Sequence, residues 1–251
     1  MKNTIKLIVC DIEGCLTPGK GKALNLDALT AVRQYNRESK NQKHVPPITL
    51  CTGRSLPYVE AMMQAIEGYI PAISENGAGL YYPAEDDYRL HPLITQQTKK
   101  QMAEAKNVIQ EEIINNFKAR FEWGKDFVIS INPPPDILIE NFFKIVQDTM
   151  KKHHIDLNIT HSASAIDITP KGIDKFSGLQ FLLGKLEISP KDVAGIGDTK
   201  GDFPVLKNVG FSAAPNNATN EVKQIVNYVS DYDNGEGVVD IIKHCIVLNQ
   251  S

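Results

Sequence analysis

The chain has 251 residues, 42% hydrophobic and 23% charged, with a formal charge of −3. That length suits one large domain or a core carrying a smaller one, and the ordinary globular composition excludes a disordered, coiled-coil or collagen-like chain. The slight negative charge, without a basic stripe or tail, argues against a nucleic-acid partner, and no stretch has the apolar length to span a membrane.

In chain order, Ile5 to Cys10 is an apolar run that reads as a fully buried strand. Leu26 to Glu38 reads as an amphipathic helix, Pro47 to Cys51 as a strand, Pro57 to Ile66 as a helix and Pro71 to Ser74 as a strand. This βαβαβ rhythm predicts a parallel sheet covered on both faces. From about Pro83 to Ser162 the character changes. Thr95 to Asn116 is polar and helix-favouring; Ala119 to Trp123 and Phe127 to Asn132 are strand-like, the second stopped by three prolines. Asp136 to Lys152 has helical apolar spacing and Leu157 to Thr160 reads as a strand, so the insert is αββαβ with room for one more strand. The core rhythm is expected to return with Ala165 to Thr169 as strand, Lys175 to Leu186 as helix, and Val193 to Ile196 and Val209 to Ala213 as strands. Helical stretches surround Glu221 and Val238. The predicted fold is α/β, a Rossmann-like doubly wound parallel sheet with an inserted α+β cap: core 1–82, cap 83–163, core 164–251.

Cys10, Cys15, Cys51 and Cys245 lack the paired spacing of a zinc site and read as packed, reduced thiols. Met1 to Lys6 leads into the first strand without the pattern of a secretory signal, so a cytoplasmic setting is expected. The sequence is silent on oligomeric state.

Four pieces carry the chemistry: Asp11 to Thr17, Leu50 to Arg54, Lys175, and Gly197 to Asp202. Asp11 ends a buried strand, where ligands gather in open α/β sheets, and its carboxylate can attack phosphorus to form an acyl phosphate. A lone Asp there reads more readily as an ordinary turn-capping residue, and it is the other pieces that change the balance. Glu13, two residues on, would face the same pocket on an extended backbone; it could protonate the leaving alkoxide and then activate water, or be a solvated loop residue. Asp198 and Asp202 offer oxygen ligands suited to Mg²⁺, or simply cap a helix. Thr52, Gly53 and Arg54 follow the second strand, where a hydroxyl and backbone N–H groups can hold phosphate oxygens. Lys175 opens a helix and can neutralise phosphate as a point charge. Asn76, in a turn after the third strand, can reach the pocket; Lys20 and Lys22 could meet an anionic substrate or be solvated.

Taken in order, Asp11-x-Glu13-Gly, Thr52-Gly-Arg, Lys175 and Gly197-Asp198-x-x-x-Asp202 resemble the four motifs of the haloacid dehalogenase-like hydrolase superfamily. The insert is similar to a C2-type cap, and Glu75-Asn-Gly-Ala78 is similar to a turn of the Cof-type, or IIB, branch. The short insert and the segment from Ala214 to Gly237 resemble archaeal-type phosphoglycolate phosphatases and sucrose-phosphate phosphatase relatives.

The resemblance implies a Mg²⁺-dependent phosphatase that hydrolyses a small phosphorylated metabolite through an aspartyl-phosphate intermediate. Asp11 would be the nucleophile. The Asp11 carboxylate, the Glu13 backbone carbonyl and Asp198 would hold Mg²⁺, with Asp202 supporting the metal or its water; Thr52 and Lys175 would hold the phosphoryl group. Two departures stand out: Glu13 replaces the family's usual Asp, and Gly201 a common Asn. They keep open a catalytically weak protein that binds a phosphate ligand. A phosphomutase or phosphonate-cleaving relative is a further alternative.

Overall fold

The computed structural model describes residues 4–162 and 165–250. The first residues of the N-terminal reading and the expected cap–core boundary at 163/164 lie outside them.

The chain opens with β1 (Leu7–Cys10), α1 (Leu26–Ser39), β2 (Ile48–Leu50), α2 (Leu56–Ala65) and β3 (Ala72–Ser74). The hairpin β4 (Gly79–Tyr82) and β5 (Asp87–Leu90) follows. Then come α3 (Gln96–Ile109), β6 (Arg120–Phe121), β7 (Ile129–Asn132), α4 (Ile139–Lys152), β8 (Asn158–His161) and β9 (Ile166–Thr169). The chain closes with α5 (Lys175–Leu186), β10 (Val193–Ile196), α6 (Phe203–Leu206), β11 (Phe211–Ala214), α7 (Asn220–Lys223), β12 (Tyr228–Val229) and α8 (Asn234–Gln250).

The main sheet is parallel, in the order β12-β11-β10-β1-β2. Alternation along β1 sends Ile8 and Cys10 into one apolar layer and Leu7 and Val9 into the other, as a strand buried on both faces requires. Helices α1, α2 and α8 supply the first layer through Leu29, Val32, Met62, Met63 and Ile241, and α5 supplies the second through Leu179, Leu182 and Leu183. Asn36 on α1 is fully buried and satisfied: its Nδ2 donates to the Ile66 carbonyl at 3.0 Å, and its Oδ1 accepts from Ile48 N–H at 2.8 Å. That pairing fixes α1 against β2 and the end of α2. The chain leaves β1 toward β2 on one side and reaches β10 on the other. The carboxyl ends of β1 and β10 therefore form the crevice where such sheets bind ligands.

The pairing of some strands and the bounds of some elements differ from expectation. The strand at 71–74 lies parallel beside the end of β2 through the bridge of Cys51 to Ile73, as expected, and on its other edge opens an antiparallel sheet β3-β4-β5. The cause is local: Glu75 and Asn76 adopt left-handed backbone (φ 46° and 53°), reversing the chain immediately after β3. The boundary expected at 82/83 falls in the turn of the β4–β5 hairpin. The strand expected to reopen the core at 165–169 instead pairs with β7 and β8 in the insert's sheet, order β6-β7-β9-β8, as its additional strand. Buried Ile166 and Ile168 need an apolar partner layer, and α3 and α4 offer it through Met102, Ala105, Ile109, Phe142, Val146 and Met150. Period-two alternation then places Ser130 and Asp167, cross-strand partners, on the opposite face of that sheet. Helix α3 is shorter than expected, ending in a π-helical turn, Gln110–Ile114. Among the described residues no helix is long and apolar enough to cross a membrane. All four cysteines are buried and unbridged.

Candidate active site

Asp11 follows β1, 8% exposed, held by its N–H donating to the Ile196 carbonyl at 3.0 Å. The chain then turns instead of extending: Gly14 N–H donates to Thr17 O at 2.7 Å, and Thr17 N–H to Ile12 O at 2.8 Å. Gly14 is left-handed (φ 76°), and a Cβ there would lie 2.0 Å from Asp198 Oδ2, so only glycine lets the loop pass this carboxylate. The backbone from Ile12 on is therefore a turn and not an extended strand end. Glu13 Oε1 accepts from Arg54 Nη2 at 2.7 Å, and the Arg54 guanidinium lies over the Tyr58 ring.

Asp198 follows β10, next to Asp11 across the crevice. Its N–H and that of Thr199 donate to Asp202 Oδ2 at 3.0 and 3.1 Å, while Asp202 Oδ1 accepts from Lys175 Nζ at 2.6 Å. Asp202 is therefore occupied on both oxygens, closing a capping box with Thr199. Lys175 is the first residue of α5, which starts with another capping box from Asp174. Its ammonium is also 3.0 Å from Asp11 Oδ1. One buried cation thus serves two buried carboxylates, with a third, Asp198, beside them; oxygens of all three aspartates lie within 4.8 Å of one another.

The electrostatics follow from that imbalance. Burial pushes Asp11 up to about 6, with Lys175 pulling down and Asp202 pushing up. Burial, then repulsion from Asp202 and Asp11, pushes Asp198 up to about 8. Burial alone would lower Lys175, but Asp11 and Asp202 outweigh it and hold the ammonium well above its ordinary value. Asp11 Oδ1 is buried and accepts no hydrogen bond despite the nearby ammonium. An oxygen cluster with surplus negative charge and an unsatisfied buried oxygen fits a hard divalent cation such as Mg²⁺.

Thr52 and Gly53 lie beyond β2, one strand over. Thr52 is buried, and its Oγ1 accepts from Arg54 N–H at 3.3 Å. A Cβ on Gly53 would lie 2.8 Å from Asn76 Oδ1, so the Asn76 side chain packs directly on the Gly53 backbone. Asn76 N–H donates to Thr52 O at 3.0 Å. The structure thus brings Asp11, Lys175, Asp198 and Asp202 together, sets Asn76 on Gly53, and gives the Glu13 side chain to Arg54.

Sequence reasoning named Lys20, Lys22 and Arg54 but passed over Asn217, Arg120, Glu122 and Lys125. Asn217 Nδ2 donates to the Gly14 carbonyl at 2.8 Å and its Oδ1 accepts from Asn234 N–H, tying the loop after Asp11 to the C-terminal segment. Lys20 pairs with Glu122 of the insert, and Lys125 Nζ is 2.6 Å from Glu122 Oε2. With Lys22, Arg54 and Arg120 these line a cavity of about 490 Å³ between core and insert. Pairings across such long sequence separations have no local signal.

A model of the haloacid dehalogenase-like hydrolase family matches residues 138–242. The chain is 29% identical over 250 residues to the phosphoglycolate phosphatase of Methanopyrus kandleri, covering 94% of this chain and 95% of the relative. It is 26% identical to phosphoglycolate phosphatase 1 of Saccharolobus solfataricus, covering 95% and 94%. Among solved structures it is similar to Thermoplasma acidophilum 0175, with a TM-score of 0.76 at 21% identity over 98% of this chain and 99% of that one. It is also similar to the sucrose-phosphatase of Synechocystis, solved with sucrose and phosphate, with a TM-score of 0.69 at 15% identity over 98% of both chains.

Proposed function

We propose that the chain is a haloacid dehalogenase-like hydrolase of the Cof-type branch, a phosphoric monoester hydrolase that acts on a small phosphorylated metabolite with Mg²⁺ through an aspartyl phosphate. The observation that carries this reading is the buried Asp11 carboxylate, 3.0 Å from the Lys175 ammonium and clustered with Asp198 and Asp202 at the sheet's switch point.

In the first step Asp11 Oδ1 forms a bond to phosphorus as the ester P–O bond breaks, and the departing alkoxide takes a proton from the Glu13 carboxyl group. In the second, Glu13 accepts a proton from water as its oxygen attacks the acyl phosphate, releasing phosphate and restoring Asp11. Lys175 offsets charge on the phosphoryl oxygens, and the Thr52 hydroxyl and Gly53 backbone orient them. Bound through Asp11, Asp198 and the Glu13 carbonyl, Mg²⁺ would supply positive charge against the repulsion between Asp11 and the phosphate. Asp202, occupied by Lys175 and two backbone amides, supports this arrangement by fixing the loop that carries Asp198.

Phosphoglycolate is the lead substrate. The relatives bear that name, and cationic Lys20, Lys22, Arg54, Arg120 and Lys125 around the core–insert cavity suit a second anionic group on a small molecule. A cytoplasmic setting suits the four buried, unbridged thiols.

The test is phosphate release from 2-phosphoglycolate and from p-nitrophenyl phosphate, with Mg²⁺ or a chelator, beside Asp11→Asn. Wild type should be at least about 10³-fold faster than Asp11→Asn, and only with Mg²⁺. Equal rates on every substrate would leave the phosphate-binding alternative standing, which the engagement of Glu13 by Arg54 makes concrete.

A further inference from the structure

Glu75 is 1% exposed and sits in left-handed backbone directly after β3. Its own N–H donates to the Arg54 carbonyl at 3.0 Å, so its backbone forms part of the wall of the phosphate loop. Its side chain leaves that wall for the insert. Oε2 accepts from Phe127 N–H at 2.8 Å and Val128 N–H at 3.0 Å, and Asp126 N–H stands 3.2 Å from both carboxylate oxygens. Three successive amides of the β6–β7 loop converge on one carboxylate, an arrangement that suits an anion with no donor of its own.

The same loop carries the insert's charged residues nearest the core. Lys125, 6% exposed in its side chain, contacts Glu122, the Ser130 hydroxyl and, at 3.5 Å, Asp167. Glu122 pairs in turn with Lys20 of the core. Gly124, left-handed at φ 74°, passes so close to the start of α2 that a Cβ would lie 3.2 Å from Ser55 Oγ. The loop is thus fastened to the core by the Glu75 carboxylate and by Lys20, with Glu122 and Lys125 on the wall of the cavity that also holds Arg54.

We propose that Glu75 is a positioning residue that sets the β6–β7 loop against the phosphate loop, so that recognition of the part of the substrate beyond its phosphate depends on it. The kinetic arm of this proposal rests on the phosphatase reading above; its amide-exchange arm does not. Turning the Glu75 carboxylate into an amide would place an NH₂ donor against backbone donors, loosening the loop while leaving Asp11, Lys175 and Asp198 untouched.

The experiment compares wild type with Glu75→Gln by hydrogen exchange at the amides of 126–128 and by steady-state kinetics with Mg²⁺. In Glu75→Gln these amides should exchange roughly tenfold or more faster, with β1 and β10 unchanged. KM for 2-phosphoglycolate should rise about tenfold or more, while kcat/KM for p-nitrophenyl phosphate, which has no such group for the insert to hold, stays within about threefold. Unchanged exchange at 126–128, or parallel loss on both substrates, overturns the proposal. Should Glu75→Gln not fold, Glu75→Asp, one methylene too short to reach all three amides, is held to the same two readouts. If wild type does not hydrolyse 2-phosphoglycolate, the lead substrate is wrong and the exchange result decides the proposal alone.

Discussion

Replacing Asp198 with Asn should make the metal-free protein more stable and the metal-bound protein useless. In the absence of a cation, Asp11, Asp198 and Asp202 share one ammonium, Lys175, in a buried cluster whose oxygens lie within 4.8 Å of one another. At that separation each pair of ionised carboxylates repels by about 3.5 kcal/mol at an effective dielectric constant of ~20. Asp198 faces two such partners, and the shared attraction to Lys175 and relaxation of the loop return part of that, so its neutralisation should gain about 2–4 kcal/mol. For a chain of this size that is roughly 5–10 °C in midpoint temperature. The pH dependence follows from the raised pKa of about 8. The native protein holds a proton on Asp198 that the unfolded chain has lost, so wild-type stability is present at low pH and declines as pH rises through about 8. The advantage of Asp198→Asn should therefore be larger at pH 8.5 than at pH 5.5. Thermal melts in chelator across that range measure it, and repeating them in Mg²⁺ should stabilise wild type but not the variant. A variant no more stable than wild type in chelator at pH 8.5, or stabilised equally by Mg²⁺, would refute the electrostatic argument.

Lys175→Met removes the only ammonium within 4.0 Å of Asp11 and Asp202 among the described residues, and should cost about 3 kcal/mol in chelator at neutral pH, read by denaturant melts. Gly14→Ala must place a Cβ 2.0 Å from Asp198 Oδ2 at φ 76°; it should weaken Mg²⁺ affinity, measured by calorimetry, by at least about tenfold. Glu13→Gln should slow an alkyl phosphate at least about tenfold more than p-nitrophenyl phosphate, whose leaving group needs little protonation; equal slowing would remove Glu13 from the role of general acid.

The sequence by itself determined the strands of the parallel core and the order along the chain of the candidate site residues. Apolar runs such as Ile5 to Cys10 can only be strands buried on two faces, and Asp11, Lys175, Asp198 and Asp202 stand immediately after strands or at a helix start, so their order in the chain carries their place in the crevice. The tertiary structure alone decided the rest. Strand β9 alternates Ile166, Asp167, Ile168 and Thr169, and that alternation could not say that α3 and α4, not the core helices, would cover its apolar face. The left-handed turn at Glu75 and Asn76 folded β4 back on β3 as an antiparallel partner. Glu13 met Arg54, Glu75 met the amides of 126–128, and Lys20 met Glu122, each across a span of chain that local spacing cannot see. A backbone pattern reports which face of an element is apolar; which polar group from elsewhere will satisfy a buried carboxylate is set only when the elements pack.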